Sequence, residues 1–300
     1  MKVLISGGSG LVGTALTESL RSQGHTIAHL VRPGGSASAG DVRWDPASGF
    51  VNINAMEAAD AVVNLNGASI GGGRWTSTRK KILRGSRVDS TRVLVEALAR
   101  LEQKPRVFVS ASAIGYYGNR GDEALTESSQ AGNDFLAEIC RAWETEALRA
   151  QSSGIRTVLT RFGVILSAKG GALKQMLRPF RMGVGGRLGS GNQWMSWIAL
   201  DDVVGILRDV ISNEQASGPV NVVARNPVQN SEFTRVLASV LHRPAILPAP
   251  AWALRLALGE MADALLLSSQ RVRAERAPAA TFPFQYENLE PALHAILAHK

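Results

Sequence analysis

Cysteine is nearly absent from this sequence: the 300 residues include one, Cys140. A single thiol excludes a disulfide framework within the chain and a cysteine-rich metal site, so we predict no metal centre. Long apolar runs are missing too, since no stretch approaches the ~20 residues that a membrane span needs. The apolar start is too short to act as a secretory signal. These absences predict a cytoplasmic protein with no membrane partner.

The sequence also lacks any block of like charge. It contains 33 lysines and arginines against 25 aspartates and glutamates, a formal net charge of +8. The cations are scattered along the chain without interleaved aromatic residues, so we predict no nucleic-acid partner. The surplus of positive charge instead favours binding of an anionic cofactor through its phosphates. We expect a small-molecule substrate, and either a monomer or a homodimer.

Apolar residues make up 45% of the chain, which is ample for a large core. Strand-like and helix-like stretches alternate as in a doubly wound parallel sheet, so the predicted fold class is α/β and Rossmann-like. Two helices are predicted over Lys80–Leu101 and Asp134–Ala150, with Asn133 or Asp134 capping the second. The predicted strands begin at Val3, Thr26, Asp41, Ala61, Arg106 and Arg156.

The character of the sequence changes after Ser167, where a glycine-laden stretch, GVGGRLGSGNQ, precedes prolines and apolar helices. We predict a nucleotide-binding domain over residues 1–168 and a smaller, mostly helical lobe over residues 169–199 and 225–300. A helix–strand unit, DDVVGILRDVI followed by GPVNVVA, is predicted to return residues 200–224 to the first domain.

The N-terminal stretch MKVLISGGSGLVG joins a predicted strand to a predicted helix. Its glycines can supply a tight turn, a close backbone approach to a pyrophosphate and a close contact between helix and strand. Unpaired amides at the start of the helix would face the anion. We therefore predict a dinucleotide site formed by Gly7, Ser9, Gly10, Leu11, Val12 and Gly13.

The end of the second predicted strand narrows the choice of cofactor. An acidic residue there hydrogen-bonds the adenine ribose 2′-hydroxyl, whereas an arginine accommodates a 2′-phosphate. The chain has HLVRPGG, with no acid, so Arg32 favours NADP(H); the alternative is that Arg32 is a solvated loop residue. Trp44 and Asp45 end the next strand, where the adenine edge is expected. Trp44 is equally consistent with a core residue.

Short motifs that are similar to those of a known family are spread from the glycine loop to the C-terminal segment. GGSGLVG, NLNGA at Asn64–Ala68, SASAIGYYG at Ser110–Gly118 and WIALDDVV at Trp197–Val204 resemble the extended short-chain dehydrogenases/reductases, the sugar epimerase and dehydratase group. The segments GRWT, SRVDSTRVL, DFLAEICRAWE and FPFQYENLEPAL are similar to a narrower branch, the epimerase family proteins with a short C-terminal domain. The resemblance implies an NADP(H)-binding domain, a substrate pocket between the lobes, and cofactor contacts from Asn66, Gly67 and Ala68.

The resemblance also implies a catalytic serine, a tyrosine, and a lysine four residues after the tyrosine that lowers the pKa of the phenol. No Tyr-x-x-x-Lys pattern occurs in this sequence. When Glu144 is matched to the glutamate that often follows the lysine by one helical turn, Leu136 falls at the tyrosine position and Cys140 at the lysine position. The usual proton-transfer pair is therefore missing.

Three hydroxyl groups remain as candidate catalytic groups. Ser112 matches the serine of the family, and Tyr116 and Tyr117 lie in the next turn, from which a phenol could orient a substrate or donate a proton. The alternative is that both tyrosines pack between the lobes with satisfied hydroxyls. Two functions follow: an NADP(H)-dependent oxidoreductase or epimerase acting on a small hydroxyl- or carbonyl-bearing molecule, or an NADP(H)-binding sensor or regulatory protein without turnover.

Overall fold

A computed structural model describes residues 1–298 of the chain. Within them the strands are β1 (Lys2–Ser6), β2 (Thr26–Val31), β3 (Val42–Asp45), β4 (Phe50–Val51), β5 (Ala61–Asn64), β6 (Val107–Ala113), β7 (Ala124–Leu125), β8 (Arg156–Phe162), β9 (Val164–Leu166), β10 (Trp194–Met195), β11 (Trp197–Ala199), β12 (Gly218–Val222), β13 (Val228–Gln229) and β14 (Arg271–Val272). The α-helices are α1 (Leu11–Ser22), α2 (Ser77–Gly85), α3 (Val88–Ala99), α4 (Phe135–Leu148), α5 (Gly171–Arg181), α6 (Leu200–Ser212), α7 (Asn230–Leu241), α8 (Ala251–Leu258) and α9 (Leu289–Ala298).

An eight-stranded sheet organises the molecule, with the strand order β12–β8–β6–β5–β1–β2–β3–β4. Its neighbouring strands are parallel except β3 and β4, which are antiparallel. The chain runs outward from β1 to β3, then crosses back and continues outward from β5. This confirms the predicted doubly wound fold. The switch between β1 and β5 opens a crevice at the carboxyl ends of the strands, where ligands of such sheets bind.

Both faces of the sheet are buried, because successive side chains of a strand point to opposite faces. On one face Val3 and Ile5 pack with apolar side chains of α1 and α6. On the other face Leu4 packs with apolar side chains of α3 and α4. The two core clusters place the sheet between helices on both faces.

The helix predicted over Lys80–Leu101 is two helices, α2 and α3, so that prediction is wrong in its continuity. Between them the Oγ of Ser86 accepts a hydrogen bond from the N–H of Ala68 at 3.0 Å, and Arg87 donates to the Ala68 carbonyl at 3.0 Å. These tertiary contacts turn the chain toward the segment after β5. The N-cap predicted for α4 is confirmed as Asp134, whose carboxylate accepts from the N–H of Ala137 at 2.9 Å.

A smaller lobe follows β9. Apolar side chains of α5, α7 and α9 pack around Trp197 of β11 in a separate core cluster. The intervening α6 and β12 lie with the large sheet, since β12 pairs with β8 from Gly218 opposite Val158 to Val222 opposite Phe162. Over residues 1–298 none of the helices combines the length and apolarity needed to cross a membrane.

Candidate functional site

The glycine loop between β1 and α1 has no room for side chains at two positions. Gly7 has a φ of +70°, and a Cβ there would lie 2.6 Å from the carbonyl oxygen of Leu65. A Cβ on Gly13 would overlap the Gly7 carbonyl, so α1 packs directly on the loop. Gly10 is the N-cap of α1 and has no side chain to bond the first N–H groups of the helix. These donors can therefore bind an anion.

A groove of about 470 Å³ runs along the start of α1. Three of the predicted cofactor contacts, Ser9, Gly10 and Leu11, line this groove, while Val12 packs against the core. Glu18 of α1 and Lys169 of the turn before α5 also line the groove, and Lys169, which is exposed, was not among the predicted site residues. The positive charge of Lys169 in a groove bordered by the glycine loop suits a phosphate-bearing ligand.

Arg32 is exposed immediately after β2, at the place where the fold reads the adenine ribose. The nearest acidic residue of the following segment, Asp41, is turned inward: its carboxylate accepts from the N–H groups of His29 at 2.7 Å and Ser38 at 2.8 Å. Arg43 lies beside this turn and donates to the Gly35 carbonyl at 2.9 Å. The electrostatics at the end of β2 are thus cationic, which favours a 2′-phosphate.

Trp44 and Asp45, the predicted adenine contacts, both have partners within the protein. Trp44 is 1% exposed and its ring packs in the apolar core on the α3 side of the sheet, which agrees with the alternative that it is a core residue. Asp45 accepts from Ser48 Oγ at 2.8 Å and from the Ala47 N–H at 3.1 Å, and it holds the turn between β3 and β4. Asp45 is half-buried, so the adenine contact predicted for it stays a prediction.

The Asn66–Ala68 segment follows β5 and is hydrogen-bonded to the junction of α2 and α3. The Asn66 amide donates to the Ser86 carbonyl at 3.1 Å, so that side chain is committed to the protein. Gly67 is exposed, and a Cβ there would lie 3.1 Å from the guanidinium carbon of Arg87. A ligand would therefore meet this segment chiefly through its backbone.

Ser112, near the end of β6, is 2% exposed and belongs to a buried polar network. Its hydroxyl donates to Oε1 of Glu144 on α4 at 2.6 Å. Arg161 of β8 donates to the same carboxylate from Nε and Nη2, both at 2.8 Å. Burial lowers the pKa of Arg161, but the hydrogen bonds and charge of Glu144 outweigh it and raise that pKa above its ordinary value. The serine proton is thus engaged by an ion pair.

The two tyrosines have different surroundings. The Tyr117 hydroxyl is fully buried, donates to Asn221 Oδ1 at 2.7 Å and accepts from Arg161 Nη1 at 3.0 Å. Burial raises the pKa of Tyr117 to about 12, so it is no base at neutral pH. Tyr116 is half-buried, and its ring lies 3.5 Å from the Arg161 guanidinium carbon. Across residues 1–298 the Tyr116 hydroxyl has no hydrogen-bond partner, which leaves it free for a ligand.

The positions that the resemblance assigns to the tyrosine and lysine are apolar and inert. A Cβ on Gly115 would lie 3.4 Å from Leu136 Cβ and 4.0 Å from Cys140 Sγ, so both side chains pack against the turn that carries Tyr116. Burial raises the pKa of the Cys140 thiol to about 12, and the charge of Glu144 acts in the same direction. Neither residue can replace the missing proton-transfer pair.

Comparison with known proteins places this arrangement in a family. The model of the NAD dependent epimerase/dehydratase family matches residues 3–223. The chain belongs to this family. Residues 249–296 match a domain of unknown function, DUF1731. The match to the epimerase family therefore covers the large sheet and the glycine loop. The second match covers part of the smaller lobe.

Individual relatives agree with this placement. The epimerase family protein Mb2239 of Mycobacterium bovis is 43% identical over 97% of this chain and 96% of its own length. A crystal structure of human epimerase family protein SDR39U1 (isoform 2) with NADPH is 33% identical, covers 100% of both chains and has a TM-score of 0.91. A nucleoside-diphosphate sugar epimerase from Corynebacterium glutamicum is 36% identical with a TM-score of 0.80, covering 99% of this chain and 58% of that one. These findings confirm the resemblance read from the motifs.

The roles of Glu144 and Arg161 were missed at the sequence level. One signal was available: Arg161 lies inside the predicted strand RTVLTRFGVIL with apolar residues on both sides, and an arginine buried there must find a partner, because an isolated buried charge is very costly. The partner, Glu144, lies on α4, which precedes the strand. No periodic pattern in the sequence relates Glu144 to Arg161. The three-dimensional fold alone brings Ser112, Glu144 and Arg161 together.

Proposed function

We propose that this protein is an NADP(H)-dependent oxidoreductase of the epimerase/dehydratase family that reduces a carbonyl group of a small molecule. One observation carries the proposal: a glycine loop without room for side chains, at the switch point of the sheet, with the exposed Arg32 beside it and Asp41 of the following segment turned inward. The human relative with NADPH, identical at 33% of positions, supports the choice of cofactor.

The residues of the cleft fit this cofactor. The amides of α1 and the loop from Gly7 to Gly13 would hold the diphosphate, and Arg32 would pair with the 2′-phosphate. The segment Asn66–Ala68 would border the nicotinamide half, because it follows β5 on the far side of the switch point from Arg32. When bound, NADPH supplies a hydride.

The hydroxyl groups of the site then have separate roles. Reduction of a carbonyl needs a donor to its oxygen, and the Ser112 proton is already committed to Glu144 at 2.6 Å. Tyr116 has the uncommitted hydroxyl and would donate to the substrate, while Ser112 would accept a hydrogen bond through its lone pairs. Tyr117 would position Arg161 beneath Tyr116.

A screen of aldehydes, ketones and quinones that follows NADPH absorbance tests the activity. We expect turnover with a carbonyl substrate, and a decrease in kcat/KM on the order of 10²-fold for Tyr116→Phe, since a positioned proton donor contributes about that much. Binding of NADPH, measured by calorimetry, should be unchanged in this variant. Turnover that is indifferent to Tyr116→Phe would assign the proton donor elsewhere.

A second function, NADP(H) binding without turnover, is favoured by the buried hydroxyls. Ser112 and Tyr117 both donate inside the protein, and the lysine position holds a neutral thiol. In that case the cofactor would bind with the same preference, and the output would be a conformational state read by a partner. Tight NADPH binding, without turnover in the carbonyl screen or in nucleotide-sugar epimerase assays, would support this alternative.

A further inference from the structure

Two arginines from the α2–α3 region converge on the backbone that follows β5. Arg87 donates from Nη2 to the Ala68 carbonyl at 3.0 Å, and Arg79 donates from Nη2 to the next carbonyl, that of Ser69. Hydrogen bonds to consecutive carbonyls hold both guanidinium groups at one short stretch of chain. We call Arg79 and Arg87 the arginine pair.

The arginine pair has no counter-ion from the protein. In the part of the chain that the structure describes, neither guanidinium forms an ion pair, and the Nε of Arg79 is buried without a hydrogen-bond partner. Burial lowers the pKa of Arg87, and the like charge of Arg79 acts in the same direction. The carbonyls of Leu83, Ala68 and Ser69 accept hydrogen bonds from the two guanidinium groups, but none of them carries a full negative charge. The cost of holding two like charges together is therefore only partly offset. An anion between them would remove that cost.

The location of the arginine pair is open to a ligand. A Cβ on the exposed Gly67 would lie 3.1 Å from the Arg87 guanidinium carbon, so a glycine at this position leaves the cation close to the surface of the cleft. The indole of Trp143, 5.4 Å from that carbon, packs on the Arg87 guanidinium and fixes its orientation. The segment lies on the β5 side of the switch point, whereas Arg32 lies on the β2 side.

We propose that the arginine pair is a second anion-binding site of the cleft, across the glycine loop from Arg32, which takes a phosphate or carboxylate group. Planar guanidinium groups match the oxygens of both anions. The group has two possible sources, the diphosphate of the dinucleotide or an acidic substrate, and this part of the inference rests on the proposed function. The anion site itself rests on the arginine pair alone.

Calorimetric titration with inorganic phosphate tests the site in protein saturated with 2′,5′-ADP, which occupies the glycine loop and the Arg32 position and lacks the nicotinamide half. Phosphate should bind the unaltered protein, and at least about tenfold more weakly to Arg79→Met and Arg87→Met, since each loses a charged hydrogen-bond donor. The matched control is Arg84→Met, which removes an equal charge from an exposed position of α2.

Arg87 also holds the Ala68 segment, so thermal unfolding of each variant without ligand accompanies the titration. Arg79→Met keeps the test valid if Arg87→Met does not fold, and Arg87→Lys, which restores the charge, should recover part of the phosphate affinity. Equal phosphate affinity in the unaltered protein, Arg79→Met and Arg84→Met would overturn the proposal, as would a failure of phosphate to bind the unaltered protein.

The same titration after saturation with NADP⁺ separates the two sources. Phosphate binding that disappears assigns the site to the dinucleotide diphosphate, and binding that persists assigns it to an acidic substrate. If neither 2′,5′-ADP nor NADP⁺ binds, the proposed cofactor is wrong. The difference in phosphate affinity among the ligand-free variants still tests the arginine pair in that case.

Discussion

The ion pair beneath the site should be essential to the stability of the sheet edge that carries it. In Glu144→Gln the carboxylate is replaced by an isosteric amide, and the Arg161 guanidinium loses both charged acceptors at 2.8 Å. The two side chains are 3% and 8% exposed, so water cannot replace the lost partner. Removing one member of a buried pair typically costs about 3–5 kcal/mol. We expect a decrease of that size in the free energy of unfolding, measured by urea denaturation.

The chain contains a matched control for this experiment. Arg120 and Glu123 form an equally short pair, with nitrogen–oxygen distances of 2.8 and 2.7 Å, but the side chains are 28% and 48% exposed. Glu123→Gln should cost about 1 kcal/mol or less, since exposed pairs are screened by solvent. If Glu144→Gln costs no more than Glu123→Gln, burial does not make the Arg161 pair important, and the reasoning is refuted.

Three further outcomes are expected. Arg32→Ala should bring the calorimetric affinities for NADPH and NADH closer together, and equal affinities in the unaltered protein would remove Arg32 from the cofactor site. Gly13→Ala should weaken NADPH binding and lower the melting temperature, because its Cβ would overlap the Gly7 carbonyl; an unchanged melting temperature would contradict the described packing. Tyr117→Phe should lower the unfolding free energy by about 1–3 kcal/mol, because Asn221 and Arg161 lose a partner. With its pKa raised to about 12 in the fold, Tyr117 should contribute this stability in full below about pH 10 and lose it as the pH rises toward 12, a loss that urea denaturation at several pH values would detect.

The features that the sequence predicted correctly depend on short stretches of chain. The glycine loop is one turn, and its strand–loop–helix context follows from the periodicity on either side. The capping role of Asp134 depends on the N–H of Ala137 three residues later. Local hydrogen bonds and periodic burial depend on residues that are close in sequence. These elements and the doubly wound order could therefore be inferred from the sequence.

The predictions that were wrong or incomplete depend on contacts between distant segments. Trp44 follows the exposed Arg43 on β3, and which face of that strand is covered depends on α3, which begins at Val88. The break between α2 and α3 is caused by the Ala68 segment, which helical periodicity cannot register. Tertiary contacts override local propensity at both places.

The chemistry of the site depends most on where one proton lies. A serine hydroxyl has one proton to donate, and beside a carboxylate paired with a guanidinium that proton belongs to the 2.6 Å bond with Glu144. The sequence alone left Ser112 as a candidate donor to a carbonyl; the ion pair leaves it lone pairs to offer. A substrate hydroxyl, which donates, would suit Ser112, while a carbonyl oxygen, which accepts, would suit Tyr116. Under the proposed function we therefore expect a substrate with a carbonyl for reduction next to a hydroxyl for orientation. A screen of α-hydroxy ketones against matched ketones without the hydroxyl should give a lower KM for the former, and equal KM values would contradict the role of Ser112.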